Sequence, residues 1–211
     1  MNLRHDEWHR MPGVRLALPA MPTPSSPGSV PRTLFLDRDG VLNRRLVGDY
    51  VKRPGEFVWL PGVLPALRLL TPRFGRTVVV TNQQGVGKGL MTQGDLDVIH
   101  GKMRQQAAFE HARIDAVYAC TALAAAGDAR RKPGTGMALE ARADFPAIDF
   151  ARSVLVGDSP SDIAFGRGVG MYCVRIAAKE DPEADATFAN LYDFAAALTD
   201  DAPGTEPPEG H

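Results

Sequence analysis

An α/β fold, an open parallel sheet with helices on both faces, is predicted by three features of this 211-residue chain. Apolar runs of four to six residues alternate with helical patterns. The runs are continuous rather than alternating, as in strands covered on both sides. Several of them lead directly into acidic or polar residues, as strands do when they end at a ligand-bearing rim.

The elements follow in order. Leu34–Asp37 is the first strand. Pro61–Leu70 carries leucines at 64, 67 and 70, one stripe of a helix, and Pro61 is tolerable near its start. Thr77–Thr81 is the second strand. Thr92–Ala112 reads as a long helix, opened by a Thr92/Asp95 capping pattern and weakened by Gly94 and Gly101. Further strands are expected at Asp115–Ala119, Ser153–Gly157 and Met171–Ile176. Further helices are expected at Gly136–Asp144, Ser159–Gly166 and Asn190–Leu198. Six of the 17 prolines lie in residues 1–31, which read as a flexible Pro-rich segment. Residues 32–199 are the folded unit, and 200–211 read as a disordered acidic tail.

Composition narrows the functional classes. With 44% hydrophobic and 23% charged residues, the chain can build a core and is not wholly disordered. A net charge of −1 gives no basic field for non-specific nucleic-acid binding. No apolar run is long enough to cross a bilayer, and the N-terminus lacks the apolar segment of a secretory signal. Cys120 and Cys173 cannot form a disulfide framework or a four-cysteine metal site. A cytoplasmic, membrane-independent protein is expected.

Four clusters carry chemistry. The first strand ends in Asp37-Arg38-Asp39-Gly40-Val41-Leu42-Asn43, and the second in Thr81-Asn82-Gln83-Gln84-Gly85-Val86-Gly87. Arg131-Lys132-Pro133 precedes a helix, and Gly157-Asp158-Ser159-Pro160-Ser161-Asp162 follows the fourth strand. Carboxylates, a hydroxyl and an ammonium on one rim suit phosphate chemistry with a hard cation. Taken singly, each has a plainer reading. Thr81 can simply end a strand, Arg130-Arg131-Lys132 can be a solvated run, and Asp158 can favour a helix N-terminus. Residues 84–89 (QGVGKG) are no P-loop, because Asn82 stands where the first glycine belongs and Gly89 where the Ser or Thr belongs. They read as a flexible loop on the phosphate side.

Together these motifs resemble the haloacid dehalogenase superfamily of aspartyl-phosphate phosphatases, over roughly residues 33–176. DRDGVLN followed by TNQ-x-G is similar to the branch holding histidinol-phosphatase and D-glycero-D-manno-heptose-1,7-bisphosphate 7-phosphatase. The resemblance implies a Rossmann-like sheet and a set of roles. Asp37 would be the nucleophile, and Asp39 the general acid and base, protonated at first while Asp37 is ionised. Mg²⁺ would be held by the Asp37 carboxylate, the Asp39 carbonyl and Asp158, with Asp162 in the outer shell. Thr81, Asn82 and Lys132 would bind the phosphoryl group, and Arg131 the rest of the substrate.

The branch's zinc loop is dismantled. Cys120 remains, but Ala122 replaces the histidine, and Asp128 and Arg130 replace the later cysteine pair, so no zinc is expected. Cys120 then reads as a small apolar strand residue. The intervals between motifs leave no room for a large cap, so an open, capless site is expected, with specificity from 48–59 and 121–131. Arg53 reads as a surface charge. The expected substrate is a small phosphorylated metabolite, a sugar phosphate first, with heptose 1,7-bisphosphate ahead of histidinol phosphate. A nucleic-acid 3′-phosphatase is disfavoured by the neutral charge and the lack of a basic–aromatic strip. A non-catalytic phosphate-binding domain is disfavoured by the complete residue set.

Overall fold

A computed structural model describes residues 32–200. The Pro-rich segment 1–31 and the tail from 201 onward lie outside the described residues.

Phe35 shows how the core assembles. On β1 (Thr33–Leu36) it pairs with Val78 of β2 (Arg76–Asn82) on one side and Leu155 of β4 (Val154–Gly157) on the other, all in parallel register. All three point to the same face, where they meet α3 (Gly136–Asp144) and α4 (Pro160–Val169). Their neighbours Leu34, Leu36, Val79, Val154 and Val156 point the other way. There they meet α1 (Val63–Leu70), α2 (Gln93–Phe109) and α5 (Leu191–Asp200). Each fully buried side chain of this size contributes about 1.5–3 kcal/mol. Helices on both faces are thus required by the strands' unbroken apolar character.

With β3 (Ala116–Cys120), β5 (Tyr172–Ile176) and β6 (Ala186–Phe188), the sheet runs β3-β2-β1-β4-β5-β6, parallel throughout. The order reverses between β1 and β4, the position where open α/β sheets bind ligands beyond their carboxyl ends. The Lys132–Pro133 peptide bond is cis.

The expected α/β architecture is what the chain adopts, with local corrections. Strand β6 was not expected; three residues are too few to carry a pattern. Cover on both faces does not hold for β3, whose residues other than Cys120 are only partly buried because it is an edge strand. Helix α1 starts at Val63, because Gly62 takes φ 77° at its N-cap and leaves Pro61 outside. The Thr92/Asp95 capping box forms as expected, and α2 begins at Gln93. It stops at Phe109, and His111 then turns the chain at φ 58°. Among the described residues, no helix is long and apolar enough to cross a membrane.

Candidate active site

Asp37 is the first residue past β1, and its backbone N–H extends the ladder to Val156 O at 2.9 Å. Its carboxylate is buried. Oδ1 accepts from Lys132 Nζ at 2.7 Å, and the same ammonium reaches Asp162 Oδ1 at 2.6 Å and Val80 O at 2.8 Å. Lys132 therefore ties the end of β1 and strand β2 to the first turn of α4. Asp162 lies in the first turn of α4, where Ser159 N–H donates to its Oδ2 at 2.9 Å. Asp158, just past β4, faces Asp37 across the switch point. The approach depends on Gly40, which holds φ 98° and whose place leaves no room for a Cβ beside the Asp158 carboxylate.

Asp39 is arranged differently. Arg38 Nη2 donates to both of its carboxylate oxygens, at 3.0 and 2.9 Å. Asn43 Nδ2 adds a donor at 2.9 Å and Gln83 Nε2 another at 2.6 Å. Arg38 is fully buried, and its Nη1 lies 3.1 Å from His100 Nε2. Arginine can only donate, so this nitrogen of His100 is the unprotonated one. Burial and the Arg38 charge push the His100 pKa down to about 4.

In the metal-free site these environments separate the two aspartates' pKa values, with Asp37 raised and Asp39 lowered. Burial pushes Asp37 up to about 7; Lys132 opposes the rise, and the Asp162 and Asp39 charges add to it. Burial also disfavours ionised Asp39, yet Arg38, Asn43 and Gln83 outweigh it and hold Asp39 below its ordinary value. Asp158 is raised to about 6 by burial, with Arg45 opposing. Lys132 is raised despite burial by its two carboxylates, and Asp162 is lowered against burial by Lys132 and Ser159.

Thr81 lies buried at the end of β2 with its hydroxyl accepting from Gln83 Nε2 at 2.9 Å. The Asn82 side chain grips the Lys132 backbone, donating to its carbonyl at 3.1 Å and accepting from its N–H at 3.0 Å. Asn82 thus positions the lysine while also lining the cavity. The three consecutive basic residues meet three different fates. Arg130 pairs with Glu140 at 2.7 Å on the surface, Arg131 lines the cavity, and Lys132 is buried.

The cavity above Asp37 is also lined by Arg45, Asp49, Tyr50 and Gln84. Of the two segments expected to set specificity, only their inner ends line it. Trp59 instead donates from Nε1 to Gln106 at 2.8 Å, and its ring packs edge-on to Phe57. From 121–131 only Arg131 lines the cavity, and Arg53 is exposed outside it. In the 84–89 loop Gly87 lies so close to the Thr121 carbonyl that a Cβ would collide, while Lys88 and Gly89 are exposed.

Arg45 was not singled out from sequence. Its Nη2 lies 2.6 Å from Asp158 Oδ1 and 3.9 Å from Asp37 Oδ2, and its Nε donates to Asp39 O at 3.2 Å. A cation is thus already drawn to the oxygens expected to hold Mg²⁺. The donor set is all oxygen, and ligand atoms of Asp37, Asp158 and Asp162 lie within 4.8 Å of one another, so a hard divalent ion fits. Arg38 and Gln83, which hold Asp39, and His100, which touches Arg38, were likewise given no role from sequence. His100 had a signal, because it shares the buried stripe of Leu96, Met103 and Ala107 on α2.

The chain matches the family model described as HAD-hyrolase-like over residues 129–199. The D-glycero-alpha-D-manno-heptose-1,7-bisphosphate 7-phosphatase of Mycobacterium tuberculosis is 40% identical over 171 residues, 78% of this chain and 90% of that protein. This chain belongs to the haloacid dehalogenase superfamily of phosphatases. A D-glycero-beta-D-manno-heptose-1,7-bisphosphate 7-phosphatase of Rhodopseudomonas palustris is 35% identical, covering 68% of this chain and 83% of the relative. Among solved structures, the D,D-heptose 1,7-bisphosphate phosphatase of B. bronchiseptica, complexed with magnesium and phosphate, has a TM-score of 0.74. It is 31% identical and covers 81% of this chain and 99% of its own. As a haloacid dehalogenase phosphatase, the chain is a phosphoric monoester hydrolase, and magnesium is the metal of its solved neighbour.

Proposed function

We propose that this chain is a cytoplasmic, Mg²⁺-dependent phosphatase that removes the 7-phosphate of D-glycero-D-manno-heptose 1,7-bisphosphate. The observation that carries the reading is the Asp37 carboxylate at the switch point, bracketed by Lys132 and Asp158 beneath a cavity open to small ligands. The named relatives support the substrate.

Asp37 attacks phosphorus in line and becomes an aspartyl phosphate, so that hydrolysis proceeds in two easier steps. Lys132 and the Thr81 hydroxyl hold the phosphoryl oxygens, and Asn82 and Val80 O fix the lysine. Asp39 gives a proton to the leaving alkoxide and later takes one from the attacking water. That role begins with a proton taken up against four hydrogen bonds from three donors, favoured once phosphoryl oxygens crowd the carboxyl, since nearby negative charge raises a pKa. Mg²⁺ held by the Asp37 and Asp158 carboxylates and the Asp39 carbonyl supplies positive charge that favours ionised Asp37 and offsets the phosphoryl charge. Asp162 stays on Lys132 and supports the ion from outside.

Arg131 is the candidate for the second phosphate. It lines the cavity beside Lys132, and its Nη1 has no hydrogen-bond partner among the described residues. A planar guanidinium can bind phosphate bidentately. Arg131→Ala is expected to cost about 1.5–3 kcal/mol, roughly 10–150-fold in kcat/KM, on heptose 1,7-bisphosphate. It should have much less effect on p-nitrophenyl phosphate. Parallel kinetics on both anomers, a heptose 7-phosphate, histidinol phosphate and a 3′-phosphorylated oligonucleotide test the assignment. Equal losses on all substrates would remove Arg131 from the second-phosphate role, and a preference for the oligonucleotide would overturn the heptose reading.

Zinc independence belongs to the same proposal. Cys120 is fully buried among Phe35, Val78 and Val80, and Ala122, Asp128 and Arg130 offer no thiol or imidazole beside it. Activity is expected to return to EDTA-treated protein with Mg²⁺ alone. Elemental analysis of protein purified without added metal should find no stoichiometric zinc; one zinc per chain would contradict this.

A further inference from the structure

The contacts of Arg45 bear on how the metal site is loaded. Its guanidinium engages two carboxylates and one carbonyl, and these are the same oxygens assigned to Mg²⁺ above. We propose that Arg45 is a tethered cation that competes with Mg²⁺ for these oxygens and must leave them when the ion binds; this rests on the metal site of the preceding section.

Charge and geometry both require the exchange. Asp39 is matched by Arg38. Arg175 also acts on Asp158, but its charge is matched by Asp181 at 3.7 Å. Ionised Asp37, Asp158 and Asp162 then contact one ammonium, that of Lys132, and carry two uncompensated negative charges between them. Arg45 cancels one of these, whereas a divalent ion cancels both. Arg45 and Mg²⁺ together would leave the cluster positive, with two cations contending for the same lone pairs. Arg45 can yield because its side chain is 46% exposed and its backbone lies in the irregular segment between β1 and α1. Lys132 cannot yield, being buried and held by three acceptors. The two cations that contact the Asp37, Asp158 and Asp162 carboxylates thus divide the work: Lys132 is fixed, and Arg45 is exchangeable.

The test is the Mg²⁺ dissociation constant of the full-length, metal-free protein, measured by calorimetric titration without substrate. Arg45→Ala is expected to tighten Mg²⁺ binding roughly 3–30-fold, the range between a partly exposed and a desolvated charge-assisted contact. Free guanidinium ion at low, non-denaturing concentration should weaken Mg²⁺ binding to Arg45→Ala competitively, by returning the lost cation. Arg44→Ala, which removes the same charge from the exposed neighbouring residue, should change the constant far less. Equal affinities in wild type and Arg45→Ala would overturn the competition and leave the metal site standing. So would an equal gain in Arg44→Ala, since the general field would then suffice. Failure of both wild type and Arg45→Ala to bind Mg²⁺ would overturn the metal site and this inference with it.

Discussion

Asp37→Asn is expected to abolish phosphate release, by a factor on the order of 10⁴ or more, while the protein stays folded. A carboxamide cannot form the acyl phosphate, so the reaction loses its first covalent step rather than a share of transition-state binding. The fold should tolerate the change. The Asn oxygen can still accept from Lys132, and the lysine keeps Asp162 and Val80 O. The new group also cannot ionise, whereas burial pushes the native carboxyl up to about 7. A raised carboxyl pKa means that the folded state binds the extra proton, so native Asp37 lowers stability as pH rises from about 4 through 7. In EDTA at pH 8, the Asn variant should therefore melt no more than a few degrees below wild type. Turnover above a tenth of wild type with Mg²⁺ present would remove Asp37 from the nucleophile's role.

The largest expected effect on stability comes from the other side of that contact. Lys132→Met removes the one ammonium between two buried carboxylates, and stranding a buried charge in this way costs about 3–5 kcal/mol. The loss should be greatest at neutral and higher pH and smaller in mild acid, where a carboxyl can accept a proton instead. Adding Asp162→Asn should restore part of it, because one of the stranded charges is then gone. Urea unfolding of wild type, the single variant and the pair at pH 5 and pH 8 measures all three effects. Unchanged stability in Lys132→Met would mean that the ammonium is not what holds the end of β1 and strand β2 to α4.

Much of this was legible in the chain itself. Unbroken apolar runs such as those at 77–81 and 153–157 can only be satisfied with cover on both sides, so sheet and helix layers follow from composition and periodicity. An aspartate directly after a buried strand has to lie at the strand's carboxyl end, which places Asp37 and Asp158 from sequence alone. The Thr92/Asp95 pair marked the start of α2, because its two hydrogen bonds form within four residues. Strand β6 left no such trace, since its pairing with β5 comes from tertiary proximity and three residues cannot set a period.

The sequence by itself thus determined the fold class, the rim on which the chemistry gathers and the residue types placed there. Only the tertiary structure decided what each side chain does. Arg130, Arg131 and Lys132 are consecutive and chemically alike, yet one pairs on the surface, one faces the cavity and one is buried between carboxylates. Asn82 lines the cavity yet also holds the Lys132 backbone, while Arg45, read as nothing in particular, sits on the expected metal ligands. Burial likewise raises Asp37 in the metal-free site while the partners of Asp39 lower it. The reason is one of range. Strand and helix patterns arise from local backbone geometry that neighbouring residues share. Charge state and partnership depend on desolvation and on groups far away in sequence, such as Gln83 on Asp39 and Asp158 on Arg45, which only the closed fold brings within a few ångströms.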